Sequence, residues 1–379
     1  MKIAMLGHKR IPSREGGVEI VVEELASRMV EKGHDVTVYN RKGHHVSGKE
    51  NEIETGISAD RFDFKGIRVI TMPTFEKKSL NAIVYAFFAT WHAVFCSYDV
   101  IHYHAEGPCA MLPIAKLFGK KCVATIHGLD WQRSKWGGFA TKFLLFGEKM
   151  AAKYADEIIV LSKNVQEYFL KTYDRQTTYI PNGIDKQEKT VADIVTRKYG
   201  LHGQDYYLFL ARIVPEKGLH YLIDAYEKAG IDKKLVIAGG SSHTDEYFEK
   251  IKNRCKNNSN IIMTGFVQGQ ELNELFSNCY AYVLPSDIEG MPMSLLEAMS
   301  FGCNCIVSDI PENMEVVKDK ALSFEKGNIE SLKEKLEYME QISRDEWMQK
   351  SRDIQKHVEA NFGWNDVVGK TLNLYERIL

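Results

Sequence analysis

The 379 residues hold only nine prolines and seven cysteines, and several common signatures are missing altogether. No G-x-G occurs, so the dinucleotide fingerprint is lacking and a nicotinamide or flavin enzyme is disfavoured. There is no G-x-x-x-x-G-K-[ST], which argues against a P-loop nucleotidase, and no D-x-D to hold a metal–nucleotide complex. HExxH and closely spaced Cys/His sets are absent too. The expectation left is a handler of phosphate that needs neither metal nor cofactor. The cysteines include no CxxC and leave an odd one over, which fits reduced, buried thiols, with Cys303 and Cys305 as core filler. No run of about 18 uninterrupted apolar residues offers a membrane span. The apolar stretch in "MKIAMLGHKR" is too short for a signal peptide, so a cytoplasmic protein is expected. A dense basic stripe with interleaved aromatics is also lacking, which excludes nucleic acid as the expected partner.

What is present is an ordinary globular composition, 44% hydrophobic and 26% charged, in a chain long enough for two domains. The net charge of −2 is unevenly spread: residues 1–183 carry +5 and the remainder −7. A mildly basic half beside an acidic one suggests that one half meets an anionic substrate or surface.

Apolar runs read as buried strands recur along the chain: "KIAML" (2–6), "DVTVYN" (35–40), "GIRVITMP" (66–73), "DVIHYH" (99–104), "KCVATIH" (121–127), "DEIIVLS" (156–162) and "QTTYIPN" (176–182). Helical patterns lie between most of them. In the clearest, Val18, Val21, Val22, Leu25, Ala26, Met29 and Val30 repeat at helical spacing before Gly33. Residues 41–60 read as a long polar loop. "YIPNGID" (179–185) looks like a hinge, after which the same grammar restarts with "DYYLFLAR", "KKLVIAGG", "NIIMTGFV", "CYAYVLP" and "CNCIVSD". The last 35 residues or so read as helices. This alternation calls for two doubly wound parallel-sheet domains facing across a cleft, with ligands beyond the carboxyl ends of the strands.

The strand ends carry the chemistry. In "EGMPMSLLEAMSFG" (289–302), Glu289 sits in a strand-to-helix loop, Pro292 suits a first helical turn, and Glu297 lies on the helix. A carboxylate at the mouth and one on the wall, beside helical N–H groups, suit a ligand with both hydroxyls and phosphate. In "ARIVPEKG", Arg212 ends a strand and Lys217 opens the next helix, a fork and a point charge for phosphate oxygens. The competing reading pairs them with surface acids such as Glu216. Gly16 and Gly17 precede a helix and permit unusual backbone angles or close approach to a ligand. His127 follows a strand, with Gly128 and Asp130 just beyond, and His102 and His104 are weaker candidates.

Together, "EGGVEIVVEELASRMVEKGHDVTVY", "ARIVPEKG" and "EGMPMSLLEAMSFG", in that order, resemble the retaining nucleotide-sugar glycosyltransferases of family 4, over nearly the whole chain. "HGLDWQRSKWG" (127–137) is further similar to a bacterial rhamnosyltransferase-like subset of capsule or cell-wall polysaccharide assembly. The resemblance implies the GT-B fold, with an N-terminal acceptor-side domain (1–183), a C-terminal donor domain (184–361) and a final helix (362–379) crossing back to the N-terminal domain. By the same resemblance Glu297 accepts from the ribose and Glu289 faces sugar hydroxyls. The backbone of Gly290, Met291, Pro292, Met293 and Ser294 meets the phosphates and sugar. Arg212 and Lys217 neutralise the diphosphate, Val267 meets the base, Gly16 and Gly17 approach the diphosphate, and His127 contacts the sugar near the reacting carbon, with Asp130 in the same substrate-binding loop. A nucleotide-sugar 2-epimerase of the same fold is the rival reading, and an exported sugar-binding protein a third. The segment "FEKKSLNAIVYAFFATWHAVFCSY" (75–98) has Lys77 and Lys78 before apolar positions that nearly encircle a helix, interrupted by His92. It is either a core helix or a peripheral contact with an anionic inner membrane face that carries a lipid-diphosphate-linked saccharide acceptor.

Overall fold

The computed structural model describes residues 1–14, 16–43, 59–75, 78–132, 137–240 and 245–379. The chain divides into two compact units, Met1–Gly183 with Trp364–Leu379, and Ile184–Gly363. In the first, the strands are β1 (Lys2–Leu6), β2 (Asp35–Arg41), β3 (Arg61–Phe64), β4 (Ile67–Met72), β5 (Val100–His104), β6 (Lys121–Ile126), β7 (Glu157–Val160) and β8 (Thr178–Tyr179). They form one sheet in the order β3-β4-β2-β1-β5-β6-β7-β8. Ile3 of β1 is paired with Val36 on one side and Val100 on the other, both parallel, so the strand order turns at β1. All five residues of β5 are buried. A strand covered on both faces leaves no solvent for its two histidines, which must find partners inside.

Strand β3 is absent from the sequence reading. It runs antiparallel to β4 across Lys65 and Gly66, whose φ angles of 50° and 76° match the two-residue turn that suits the natural twist of a hairpin. Its alternating exposure marks an edge strand, too short and polar to stand out. Of the segment expected as a loop, residues 44–58 lie outside the described residues.

The helix Gly17–Glu31 buries Val21, Val22, Leu25, Ala26 and Met29, and Gly33 follows with φ 84°. The helix Lys78–Val94 divides its apolar surface. Tyr85, Ala86, Ala89 and Ala93 are buried, whereas Phe87, Phe88 and Trp91 stay exposed and pack edge-on or stacked on one another. Phe95 and Phe118 extend that aromatic surface. Among the described residues no helix is long and apolar enough to cross a membrane.

The second unit holds β9 (Tyr206–Leu210), β10 (Lys234–Ala238), β11 (Ile261–Gly265), β12 (Ala281–Leu284), β13 (Asn304–Ser308) and β14 (Leu322–Phe324), ordered β11-β10-β9-β12-β13-β14 and parallel throughout. Cys303 and Cys305 are buried in β13 and beside it, and burial pushes both thiols well up. Helices Arg344–Asn361 and Trp364–Ile378 close the chain. The second of these belongs to the first unit, where Tyr375 reaches His102.

Candidate active site

In the second unit two loops are stitched together at the carboxyl ends of β9 and β12. Arg212 lies two residues beyond β9 rather than at its end. Lys217 closes a short 3-10 turn, Pro215–Lys217, and the helix starts only at Leu219. Gly218 between them has φ 66°, and a Cβ there would fall 1.9 Å from the Pro285 carbonyl oxygen, so no other residue fits. Across the same seam the Asp287 N–H donates to Glu216 O at 2.9 Å.

This approach delivers the Lys217 ammonium to Glu289 Oε1 as a short ion pair, with side-chain exposures of only 14% and 7%. Lys217 is thus paired with Glu289. Ser286 Oγ donates to the same oxygen at 2.7 Å. The Ser286 carbonyl in turn accepts Ser308 Oγ at 2.5 Å, and Asn313 Nδ2 donates to Ser308 Oγ at 3.0 Å. Glu289 is thus held from behind by a buried polar chain that reaches into the helix Pro311–Val317. Ser286 lies three residues before Glu289 at a strand end, a visible signal that the sequence reading passed over.

Helix Met293–Ser300 starts one residue later than expected: Pro292 is its N-cap, in extended conformation, with no side-chain cap. Gly290, Met291, Pro292 and Met293 are all buried. The Ser294 hydroxyl is turned inward, hydrogen-bonded to Tyr282 at 2.8 Å, so any contact with a ligand falls to its backbone. Glu297 is half-buried on the second turn. Burial first, and then both Glu289 and Glu297, push the Tyr282 phenol well above its ordinary value, which places the two acids around one ring. Val267 is buried in the loop after β11.

In the first unit, Gly16 is the N-cap of its helix with φ −155° and ψ 155°, an extended backbone open to any residue. The expected need for unusual angles is not met there; what glycine supplies is room. A Cβ at Gly16 would sit 2.3 Å from Glu19 Oε2. Glu19, third in the helix, reaches back to accept the Lys9 N–H at 2.8 Å, which ties the helix start to the loop after β1. Asn40 holds the same β1 loop through Ile11 N at 2.9 Å and Ile11 O at 2.8 Å. Neither residue was singled out in the sequence. Gly17 is the exposed first residue of the helix.

His127 is buried just beyond β6, with its Nε2 3.0 Å from His104 Nδ1. His102 is bonded at both nitrogens, to Tyr375 at 2.6 Å and Thr125 at 2.7 Å. Burial pushes His102 down to about 3 and His8 to about 4. His104 lies well below its usual value for the same reason, helped by His102 and His127. His104 Nε2 is buried without a hydrogen-bond partner. One imidazole donates to the other across the His104–His127 contact, in the direction set by the tautomer each ring holds. Three residues along the same loop, the Asp130 N–H donates to Glu106 at 3.1 Å. Residues 133–136 of "HGLDWQRSKWG" lie outside the described residues.

The structure therefore gathers Lys217, Glu289, Gly290–Ser294 and Glu297 in one unit, and His127 and Asp130 in the other, with Gly16 and Gly17 on a separate loop. Among the described residues no group of three or more His, Cys, Asp or Glu is placed to hold a metal ion.

Residues 15–188 match the family model "Glycosyltransferase Family 4", and residues 193–356 match "Glycosyl transferases group 1". The chain is 25% identical over 374 residues to an uncharacterized glycosyltransferase of Methanocaldococcus jannaschii, covering 96% of this chain and 95% of the relative. It is 27% identical over 243 residues to the UDP-Gal:alpha-D-GlcNAc-diphosphoundecaprenol alpha-1,3-galactosyltransferase of Escherichia coli, covering 60% and 62%. The solved structure of Anabaena HepE in complex with UDP and glucose matches with a TM-score of 0.80 at 16% identity, over 100% of both chains. The protein is a glycosyltransferase of GT-B fold, built from the two modules that these family models describe.

Proposed function

We propose that this glycosyltransferase moves a sugar, with retention of configuration and without a metal, from a nucleoside-diphosphate sugar to a saccharide acceptor. The observation that carries this reading is the Lys217–Glu289 pair at the start of helix Met293–Ser300, which puts a cation, a carboxylate and helical N–H groups in one place. Lys217 and Arg212 take the charge of the departing diphosphate, assisted by the backbone of Gly290–Ser294. Fixed charges of this kind stabilise a leaving group without having to reorganise. As the diphosphate competes for Lys217, Glu289 turns to the sugar hydroxyls, still held by Ser286. Glu297 accepts from the ribose, and Val267 borders the base. Gly16 and Gly17 approach the diphosphate from their own unit. His127 meets the sugar through Nδ1 or its backbone, since Nε2 faces His104. By family analogy the acceptor attacks from the face that the diphosphate leaves, with a phosphate oxygen as base.

The finer reading is a cytoplasmic enzyme of bacterial cell-surface polysaccharide synthesis, close to the rhamnosyltransferase-like subset on the strength of "HGLDWQRSKWG". Its acceptor is a lipid-diphosphate-linked saccharide. The exposed aromatic surface of Phe87, Phe88, Trp91, Phe95 and Phe118 supports peripheral contact with the membrane that presents it. Lys120, bonded to the Cys96 carbonyl, lies next to it. Lys77 lies outside the described residues.

Melting with UDP, GDP and dTDP tests the donor site, because a ligand that binds only the folded state raises its stability. The matching nucleotide sugar, incubated without acceptor, should then slowly release nucleoside diphosphate, equally with and without EDTA. Formation of an epimer favours the epimerase. A complete, magnesium-reversible loss in EDTA contradicts the metal-free scheme, and no stabilisation by any of the three nucleotides overturns the reading.

A further inference from the structure

Strand β5 runs out into the tripeptide His104–Ala105–Glu106, and both ends of that tripeptide hold one loop. His104 Nδ1 lies 3.0 Å from His127 Nε2, and Glu106 Oε2 accepts the Asp130 N–H at 3.1 Å. Between them Ala105 has φ 72° and ψ 161°, a region that a residue with a Cβ occupies only where its surroundings force it there. The Ala105 N–H donates to Thr125 O at 2.9 Å, which pins the turn to β6, the strand from which the loop departs.

Glu106 opens the short helix Glu106–Cys109, which packs on helix Phe139–Tyr154 so tightly that a Cβ on Gly147 would lie 2.1 Å from the Glu106 carbonyl oxygen. The next residue, Glu148, is fully buried and continues the grip. Its Oε2 accepts the Trp131 indole N–H at 3.1 Å, and its Oε1 accepts the hydroxyls of Tyr168 at 2.8 Å and Tyr173 at 2.5 Å. Three donors thus converge on the Glu148 carboxyl. Burial, and then the charges of Asp130 and Glu148, hold Glu106 well above the usual carboxyl range. Two adjoining buried carboxyls are a costly way to support a loop that apolar packing could support alone.

We propose that His104, Glu106 and Glu148 are positioning residues for sugar transfer, and that the forced turn at Ala105 fixes the loop 127–132 so that His127 and Asp130 meet the substrate in one geometry. This rests on the transferase reading above for the loop's role. Because an amide oxygen can accept the Asp130 N–H as Glu106 Oε2 does, Glu106→Gln should preserve the arrangement while Glu106→Leu destroys it.

The test uses the full chain and four variants, Glu106→Gln, Glu106→Leu, Glu148→Gln and Trp131→Phe. Two quantities are read: amide hydrogen exchange across residues 127–132, and kcat and KM for nucleotide release. The donor is UDP-glucose, GDP-mannose or dTDP-rhamnose, whichever gives the largest melting shift. Glu106→Gln should stay within about twofold of the parent in kcat and exchange, whereas Glu106→Leu and Glu148→Gln should lose roughly tenfold or more in kcat, with donor KM little changed. Both losses should come with faster exchange at Asp130. Trp131→Phe leaves the core filled and should show a smaller shift of the same kind, which keeps the test open should Glu106→Leu not fold. Parent-like kcat and exchange in Glu148→Gln and Trp131→Phe, or equal losses in Glu106→Gln and Glu106→Leu, overturn the proposal. If the parent turns over none of the three donors, the transferase reading falls, and the exchange data still decide whether these residues hold the loop.

Discussion

The two units handle charge in opposite ways. In the second, Lys217 and Glu289 form a largely buried ion pair just before the helix start. In the first, burial lowers His8, His102 and His104 and raises Glu106, in each case favouring the uncharged form. On the proposed reading the second unit meets a diphosphate with full charges, and an ion pair that the ligand can split supplies them. A site that must orient uncharged hydroxyls is better served by neutral donors and acceptors with fixed directions. The lesson is that the charge of an active-site residue type is a property of its burial.

The comparison breaks most visibly in acid. The imidazoles' folded values lie below 6.5, so the unfolded chain binds more protons than the folded one, and stability falls as pH drops through 6.5 towards about 4 for His8 and about 3 for His102. Each such group costs about 1.4 kcal/mol per pH unit in that window. Glu106 acts in the reverse sense, since its folded value is raised above 4.5, and offsets part of the loss. A net decline of roughly 1.4–3 kcal/mol per unit between pH 6.5 and pH 5 is expected in urea unfolding. A flat profile would mean that the imidazoles are not neutralised by burial.

Next in size, Lys217→Ala should lower turnover about 100- to 1000-fold while affecting donor binding less, because charge on the leaving group develops in the transition state. Equal changes in kcat/KM and in nucleotide affinity would put Lys217 in ground-state binding instead. Glu297→Ala should weaken nucleoside diphosphate binding by about 1–3 kcal/mol in calorimetry; an unchanged affinity removes the ribose from its role. Smaller again, Tyr375→Phe strips one partner from buried His102 and should cost about 1 kcal/mol of unfolding free energy. Weak binding to anionic vesicles, lost with neutral ones, should decline when Trp91 and Phe95 become serine. Retention by neutral vesicles alone would shift the contact from charge to apolar insertion.

Much of this was legible in the letters. The parallel sheets follow from continuous apolar strands, and the cluster at residues 289–297 from glutamates set where a strand gives way to a helix. The sequence could not show that Lys217 and Glu289, 72 positions apart, form an ion pair, because that contact depends on Gly218 letting one loop sit against Pro285. Glu106 and Glu148 were invisible for a related reason. A lone glutamate near a helix start or in a helix middle reads as solvated, and only tertiary packing removes the water. Strand β3 was lost to its own brevity.

One feature bears on the order of synthesis. The helix Trp364–Ile378 belongs to the first unit although the whole second unit is translated before it. Gly183 lies so close to Trp364 that a Cβ would come within 2.4 Å of the indole, so the seat for that helix is shaped long before its occupant is made. Until then His102 lacks Tyr375, its partner at Nδ1. A nascent chain thus carries an incomplete histidine cluster until its final helix is made.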